Sequence, residues 1–238
     1  TSRPITDIVQ LYLQDEDGNI IAYQSGDQIP FEERSFEHRK SIFKIDLPPN
    51  VKYSAYLHLG SDGEVISIPL KLYDTSSFLQ ATYKEQIFFG LFYGILILAA
   101  TSYLFFFISL KDRTFLYYGL YTIFIGLLQF ALDGFFFQYF TPSGGWFSSR
   151  SVILMAVVAN FFLAKYADHF LAFRTHFKIM PKIFNGIYVM LAISGVALVS
   201  LPAALEIIYP LVNIIGLVTI LLILGSVFLS LVLCPLLG

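Results

Sequence analysis

The residues best suited to hold a metal or to attack a carbonyl are four histidines, His38, His58, His169 and His176, and one cysteine, Cys234. The histidines lie far apart, with no metal-ligand spacing among them. Cys234 sits in an apolar run, which leaves neither a disulfide framework nor a thiolate metal site. No Gly-rich phosphate loop follows a strand, and neither His-Glu-x-x-His nor a nucleophile elbow occurs. These residues predict no catalytic constellation, no metal and no cofactor. A net charge of −2 gives no electrostatic case for nucleic acid, which needs a clustered basic face.

Two groups of polar residues remain as binding candidates. The turn Gly26-Asp27-Gln28-Ile29-Pro30, followed by Arg34 and Arg39, offers charged groups to a polar ligand, so Asp27, Arg34 and Arg39 are the ligand-binding candidates. The plainer reading pairs the arginines with Glu32, Glu33 or Glu37, since surface charge runs are usually solvated. The second group is Asp133 and Asn160, polar residues inside otherwise apolar stretches, where burial in lipid is costly and function is the default hypothesis. Asp133 falls near the outer end of its stretch, where its charge is solvated. Asn160 is deeper and is expected to face neighbouring helices through a hydrogen bond worth about 1 kcal/mol.

The elements that must position these residues follow from composition. Hydrophobic residues make up 56% of the 238 and charged residues 13%, against soluble norms of roughly 45–50% and 25%. Of the 32 charged residues, 21 precede Ile87 and none follows Glu206. That asymmetry predicts two environments.

Residues 1–80 read as strands and tight turns, an extracellular or periplasmic β-sandwich domain. Val9 to Leu13 alternates, Asp15-Glu16-Asp17-Gly18-Asn19 turns, and Ile20 to Tyr23 resumes, a hairpin signal because Asp and Gly tolerate positive φ. Ile42 to Leu47 reads as a strand stopped by Pro48-Pro49. A second hairpin is expected over Tyr53–Leu59 and Val65–Leu72, around Gly60-Ser61-Asp62-Gly63. Strands at this spacing suggest a jelly-roll-like sandwich, here lacking some of its strands. Residues 81–238 read as a helical membrane domain with spans near 87–110, 114–140, 147–171, 183–201 and 209–233, since about 20 apolar residues cross a bilayer as a helix. Lys111 and Arg113, then Arg174, Lys178 and Lys182, fall in alternate loops. Basic residues collect on the cytoplasmic side, so the N-terminal domain faces outward and the protein is a multi-pass cell-membrane protein. The chain begins with Thr1 and stops inside an apolar run at Leu236-Leu237-Gly238, which predicts a fragment of something longer.

The stretch Gly90-Leu91-Phe92-Tyr93-Gly94-Ile95-Leu96, then Tyr103-Leu104-Phe105 and Ser109-Leu110-Lys111-Asp112-Arg113, continues with Tyr117-Tyr118, Leu120-Tyr121, Asp133-Gly134 and Phe137-Gln138-Tyr139. Together these resemble the bacterial seven-transmembrane receptors with diverse intracellular signalling modules. Gly26-Asp27, Pro30, Arg34, Phe43-Lys44-Ile45, Tyr56-Leu57 and Pro69-Leu70 resemble that family's extracellular jelly-roll domain. The resemblance implies a sensor whose outer domain detects a ligand, carbohydrate-like by analogy with carbohydrate-binding sandwiches. Its seven helices, about five of them visible here, would relay the signal to a cytoplasmic histidine kinase, diguanylate cyclase or phosphatase. A flexible insertion after Asp74 is expected to uncouple the two.

Expected partners are therefore the lipid bilayer and an extracellular ligand, with a homodimer left open by Gly90-x-x-x-Gly94, a motif that lets helices approach closely. A transporter is the alternative, but its polar, broken helices should meet near the midplane, where only Asn160 qualifies. A membrane-embedded enzyme would have only Asp133, Lys165 and Asp168 to work with.

Overall fold

A computed structural model of the chain describes residues 8–26, 29–49, 51–60, 69–170, 179–201 and 205–233. It divides into two compact units, Thr1–Gln80 with Gln129–Val152, and Ala81–Leu128 with Ile153–Gly238.

The first unit is built on an antiparallel sheet of β1 (Ile8–Gln14), β2 (Ile20–Ser25) and β3 (Ser54–Gly60), in the order β2-β1-β3. The first hairpin closes as expected. Asp15 Oδ1 accepts the amides of Asp17 and Asn19, and Gly18 takes a φ of 87° that a side chain would oppose. Register places Leu11 between Tyr23 and Leu57, and Leu13 between Ile21 and Ala55. Val9 and Leu13 on that face are buried. The opposite face carries Gln10, Tyr12, Gln14, Gln24, Tyr56 and His58 beside Ile20 and Ala22, mostly polar and open as antiparallel sheets allow.

One strand expectation needs revision, and another lies partly outside the described residues. Residues 41–48 form no strand; their alternation reflects packing, because the Phe43 ring lies 6.0 Å from that of Tyr23 on the sheet's apolar face. In the second hairpin β3 forms, but residues 61–68 lie outside the described residues, and residues 69–74 are irregular.

Helix α1 (Thr75–Leu110) then runs unbroken for 36 residues. Asp74 caps it, its carboxylate accepting the amides of Ser76 and Ser77 at 2.9 Å each and their hydroxyls at 2.8 and 2.7 Å. At 1.5 Å per residue α1 is about 54 Å long. The hydrocarbon core is about 30 Å thick, so the turns before Ile87, with Lys84 and Glu85, extend beyond it.

Helix α2 (Arg113–Leu132) stops short of its expected end. The stretch expected as one span to Phe140 breaks at Asp133-Gly134 and resumes as the short helix α3 (Phe135–Phe140). Gly134 has φ 79° and its amide donates to the Ala131 carbonyl at 3.0 Å, the left-handed glycine that commonly ends a helix. After α3, helix α4 (Trp146–Phe170) begins.

The second unit holds the remainder of α1, α2 and α4, with α5 (Met180–Ser200) and α6 (Leu205–Leu233). The Tyr103 and Tyr118 rings join α1 to α2 at 4.2 Å. Phe124 stacks on Phe162 at 5.6 Å between α2 and α4. Ile153, Val157 and Ala164 of α4, Phe184, Leu191 and Leu198 of α5, and Ile208, Val212 and Ile215 of α6 form one buried core. Thr75–Leu110, Arg113–Leu132, Trp146–Phe170, Met180–Ser200 and Leu205–Gly225 are each long and apolar enough to cross a membrane. The apolar flank of α1, with Ile87, Leu91 and Leu98 exposed, suits lipid. Nothing lies within 4 Å of a Cβ added at Gly90 or Gly94, so the motif packs against no other described residue.

Candidate functional site

Two of the first unit's buried charges, Arg34 and Arg39, lie on one loop, residues 31–41, which opens with a 3-10 turn at Phe31–Glu33. Ser35 ties this loop to the sheet: its amide and hydroxyl both donate to the Gln24 carbonyl at 3.1 Å, and its Oγ accepts the Gln24 amide at 3.0 Å. Phe36 and His38 set their rings edge-on to Phe78, in the first turn of α1, at 6.2 and 6.0 Å. The loop also reaches the chain between α2 and α4. The Phe31 amide donates to the Pro142 carbonyl at 2.7 Å, and the Phe31 ring lies 6.2 Å from that of Phe137.

The two arginines complete this junction. Arg39 is 6% exposed. Its Nη1 donates to the Asp133 carbonyl at 2.8 Å, and its guanidinium lies 4.9 Å from the Phe135 ring centre. Arg34, 5% exposed, donates to the carbonyls of His38, at 3.0 Å, and Gly26. Its guanidinium stands 4.4 Å from the Phe137 ring centre and 5.4 Å from that of Phe31. The structure places both side chains against the protein's own carbonyls and aromatic rings. Asp27, the third ligand candidate, lies outside the described residues.

The carbonyls matter physically. The last carbonyls of a helix lack amide partners and carry the negative end of its dipole, so a cation there is stabilising. Arg39 therefore sits where the end of α2 favours it. Asp133 is partly buried at the same break, and its Oδ1 accepts the Gln129 amide nitrogen at 3.1 Å.

Within the second unit, Asn160 faces α6, and a Cβ added at Gly216 would come within 2.8 Å of its Oδ1. The deep polar residue thus marks a close helix approach. Lower on α4, Lys165 Nζ lies 4.3 Å from the Tyr188 ring centre, and the Tyr188 hydroxyl donates to Asp168 Oδ2 at a long 3.5 Å. His169 Nε2 stands 4.0 Å from Asp112 Oδ1, both half-exposed. The Thr114 amide and hydroxyl, with a smaller share from His169, hold the Asp112 carboxyl below its ordinary range. Among the described residues no group of three His, Cys, Asp or Glu side chains could hold a metal.

Phe78, Phe135, Phe137, Tyr188 and Gly216 were not legible as partners from sequence. The break itself was signalled by Asp133-Gly134, a turn dipeptide inside an apolar run.

Comparison with known proteins accords with this architecture. Residues 85–233 match the family model described as 7TM diverse intracellular signalling, and residues 1–74 match the one described as 7TMR-DISM extracellular 2. No curated protein and no solved structure matches the chain. The two matches give an extracellular domain followed by a membrane domain in order along the chain, and the described residues hold a β-sheet followed by five membrane-length helices. The chain belongs to the 7TM diverse intracellular signalling family, and it is a multi-pass membrane protein with an extracellular N-terminal domain.

Proposed function

We propose that this chain is the sensing and membrane-spanning part of a receptor, in which ligand binding to the extracellular domain changes the arrangement of the helices below it. The observation that carries this reading is the reach of loop 31–41. It touches β2 through Ser35, α1 through Phe78, and the α2–α4 connection through Phe31 and the two arginines. A displacement of the sheet therefore bears on the outer ends of several helices at once. A ligand shifts such an equilibrium only by binding one arrangement better than the other, and a junction bonded at many points makes that difference available to the helices.

A carbohydrate-like ligand is supported by the solvent face of the sheet. Gln10, Gln14 and Gln24 offer amides that both donate and accept. Tyr12 and Tyr56, the latter 58% exposed, offer ring faces to the apolar side of a sugar. The relay would end in a cytoplasmic output of the kinase, cyclase or phosphatase kind. The observation on Asn160, that it lies against Gly216 of α6, fits helix packing and does not by itself favour the transporter alternative.

The test is an insertion of Gly-Ser-Gly-Ser between Tyr73 and Asp74, ahead of the cap so that α1 still starts normally. Spin labels at Lys111 and Ile179, on the cytoplasmic side, report the helix arrangement in nanodiscs. The insertion should change their distance distribution; an unchanged distribution would sink the receptor reading.

A further inference from the structure

The break between α2 and α3 is the second place where the outer domain holds the membrane helices, and Arg39 is the residue that holds it. We propose that Arg39 works as a positioning residue whose grip on the Asp133 carbonyl sets the outer end of α2, making the Asp133-Gly134 break a hinge under the control of the extracellular domain. The inference rests on the receptor reading and names the joint through which a signal would pass.

Four observations carry it. First, α2 ends at Leu132 and the chain turns at Gly134 with a left-handed φ of 79°, a conformation that glycine adopts freely and other residues resist. The turn is thus one pivot residue between two helices. Second, the pivot and the turn of helix that follows it are buried. Gly134, Phe136 and Phe137 are all buried, so the pivot moves only if its packing moves with it. Third, the outer domain grips this pivot from a distant part of the chain, Arg39 Nη1 to the Asp133 oxygen, 94 residues apart. The bond lies immediately before Gly134, where a change in backbone dihedral is cheapest. Fourth, the same loop is bonded to the sheet through Ser35 and rests against Phe78 of α1, so the grip follows the sheet.

The chemistry suits a positioning role better than ligand capture. A guanidinium is planar and permanently charged, and it combines directional hydrogen bonding with stacking on an aromatic face. Arg39 uses the first on Asp133 and places its charge over Phe135. A ligand would have to displace these bonds to reach it.

The experiment uses the whole chain in nanodiscs with two readouts. Hydrogen exchange over residues 133–142 reports the joint, and the Lys111–Ile179 label distance reports the far end of the helices. Arg39→Gln keeps a donor but loses the charge. It should speed exchange over 133–142 about tenfold, the loss expected for one charge-assisted bond of that kind. It should also shift the label distance by about 1–2 Å, the scale of helix displacements in switching proteins. Arg39→Lys, which restores charge without the planar fork, should recover part of both. Gly134→Ala strains the pivot while keeping Arg39 and should move both readouts as well, which keeps the test valid if the arginine variant folds poorly. Unchanged exchange in Arg39→Gln, or faster exchange with an unmoved label distance, overturns the proposal. If the Tyr73–Asp74 insertion still moves the labels in that case, the receptor reading stands and only this joint is lost. If neither variant moves them, both fall.

Discussion

The outer junction and the cytoplasmic end of the helices both hold cations against aromatic rings, yet they hold them differently. Outside, Arg34 and Arg39 are buried, and each combines a ring face with carbonyls fixed by the backbone. Toward the cytoplasm, Lys165 places a single ammonium over Tyr188, the Tyr188–Asp168 bond is stretched to 3.5 Å, and the His169–Asp112 pair is half-exposed at 4.0 Å. Arginine's fork fixes an angle, whereas lysine's ammonium on a flexible stem fixes little more than a distance. Exposed pairs of the His169 kind are weakened by solvent and salt. The contrast suits a relay: a stiff end that receives a displacement, and a soft end whose contacts are exchanged at small cost.

The largest expected effect probes the ground between the two ends, where Asn160 of α4 meets Gly216 of α6. A Cβ at Gly216 would stand 2.8 Å from Asn160 Oδ1. The clash of an alanine is with the tip of a mobile side chain, so Gly216→Ala should be tolerated. Gly216→Leu overfills the contact and should cost about 1–3 kcal/mol, seen as a lower unfolding midpoint in detergent. Asn160→Ala should recover part of that loss in the double variant. If Gly216→Leu alone leaves the midpoint unchanged, α4 and α6 are held less closely than the distances imply, and the soft region extends into the middle of the helices.

A smaller effect tests the soft end directly. Lys165→Met keeps the stem's packing and removes a cation–π contact worth about 0.5–1 kcal/mol at a partly exposed site. Tyr188→Phe keeps the ring under Lys165 and removes only the long hydrogen bond, so it should cost less still. Both are read from the same unfolding midpoint, beside Arg39→Lys at the stiff end. Should Lys165→Met prove more damaging than Arg39→Lys, the ranking of the two ends is reversed.

The sequence disclosed the parts of this arrangement that depend on composition over a window and missed those that depend on one distant partner. Five membrane-length helices were legible because each is a long run almost free of charge, and the Asp15–Asn19 hairpin because its residues demand that turn. The Ile42–Leu47 alternation misled. A period of two says that alternate residues are buried, and Phe43 meets that condition by packing on Tyr23 with no ladder at all. The end of α2 was misplaced because apolarity continues through Phe135-Phe136-Phe137, although the Asp-Gly pair carried the turn signal. Arg34 and Arg39 stood out as charges on a turn, but part of their surroundings is distant: Arg39 bonds Asp133 and lies over Phe135, and Arg34 lies over Phe137. No local pattern around residue 39 specifies a carbonyl 94 positions away.

The remaining route into the helices, the start of α1, offers the mildest perturbation and a clear sign in pH. The Ser77 amide, then the hydroxyls of Ser77 and Ser76, hold the Asp74 carboxyl well below the usual carboxylate range. A folded-state pKa below the unfolded one means the cap stabilises fully above the ordinary carboxylate value. That contribution is lost only as pH falls through the lowered folded value, so from roughly pH 5 upward it should be constant. Asp74→Ala should therefore speed hydrogen exchange in the first turn of α1 several-fold and by the same factor at pH 6 and pH 8, once the intrinsic pH dependence is removed. Exchange over residues 133–142 should stay as it is, because that joint is gripped by Arg39 and not by the cap. A factor that changes between those two pH values would mean that another titrating group governs the turn. Faster exchange at both places would mean that the stiff end is one joint rather than two, with Phe78 carrying the disturbance from the cap into loop 31–41.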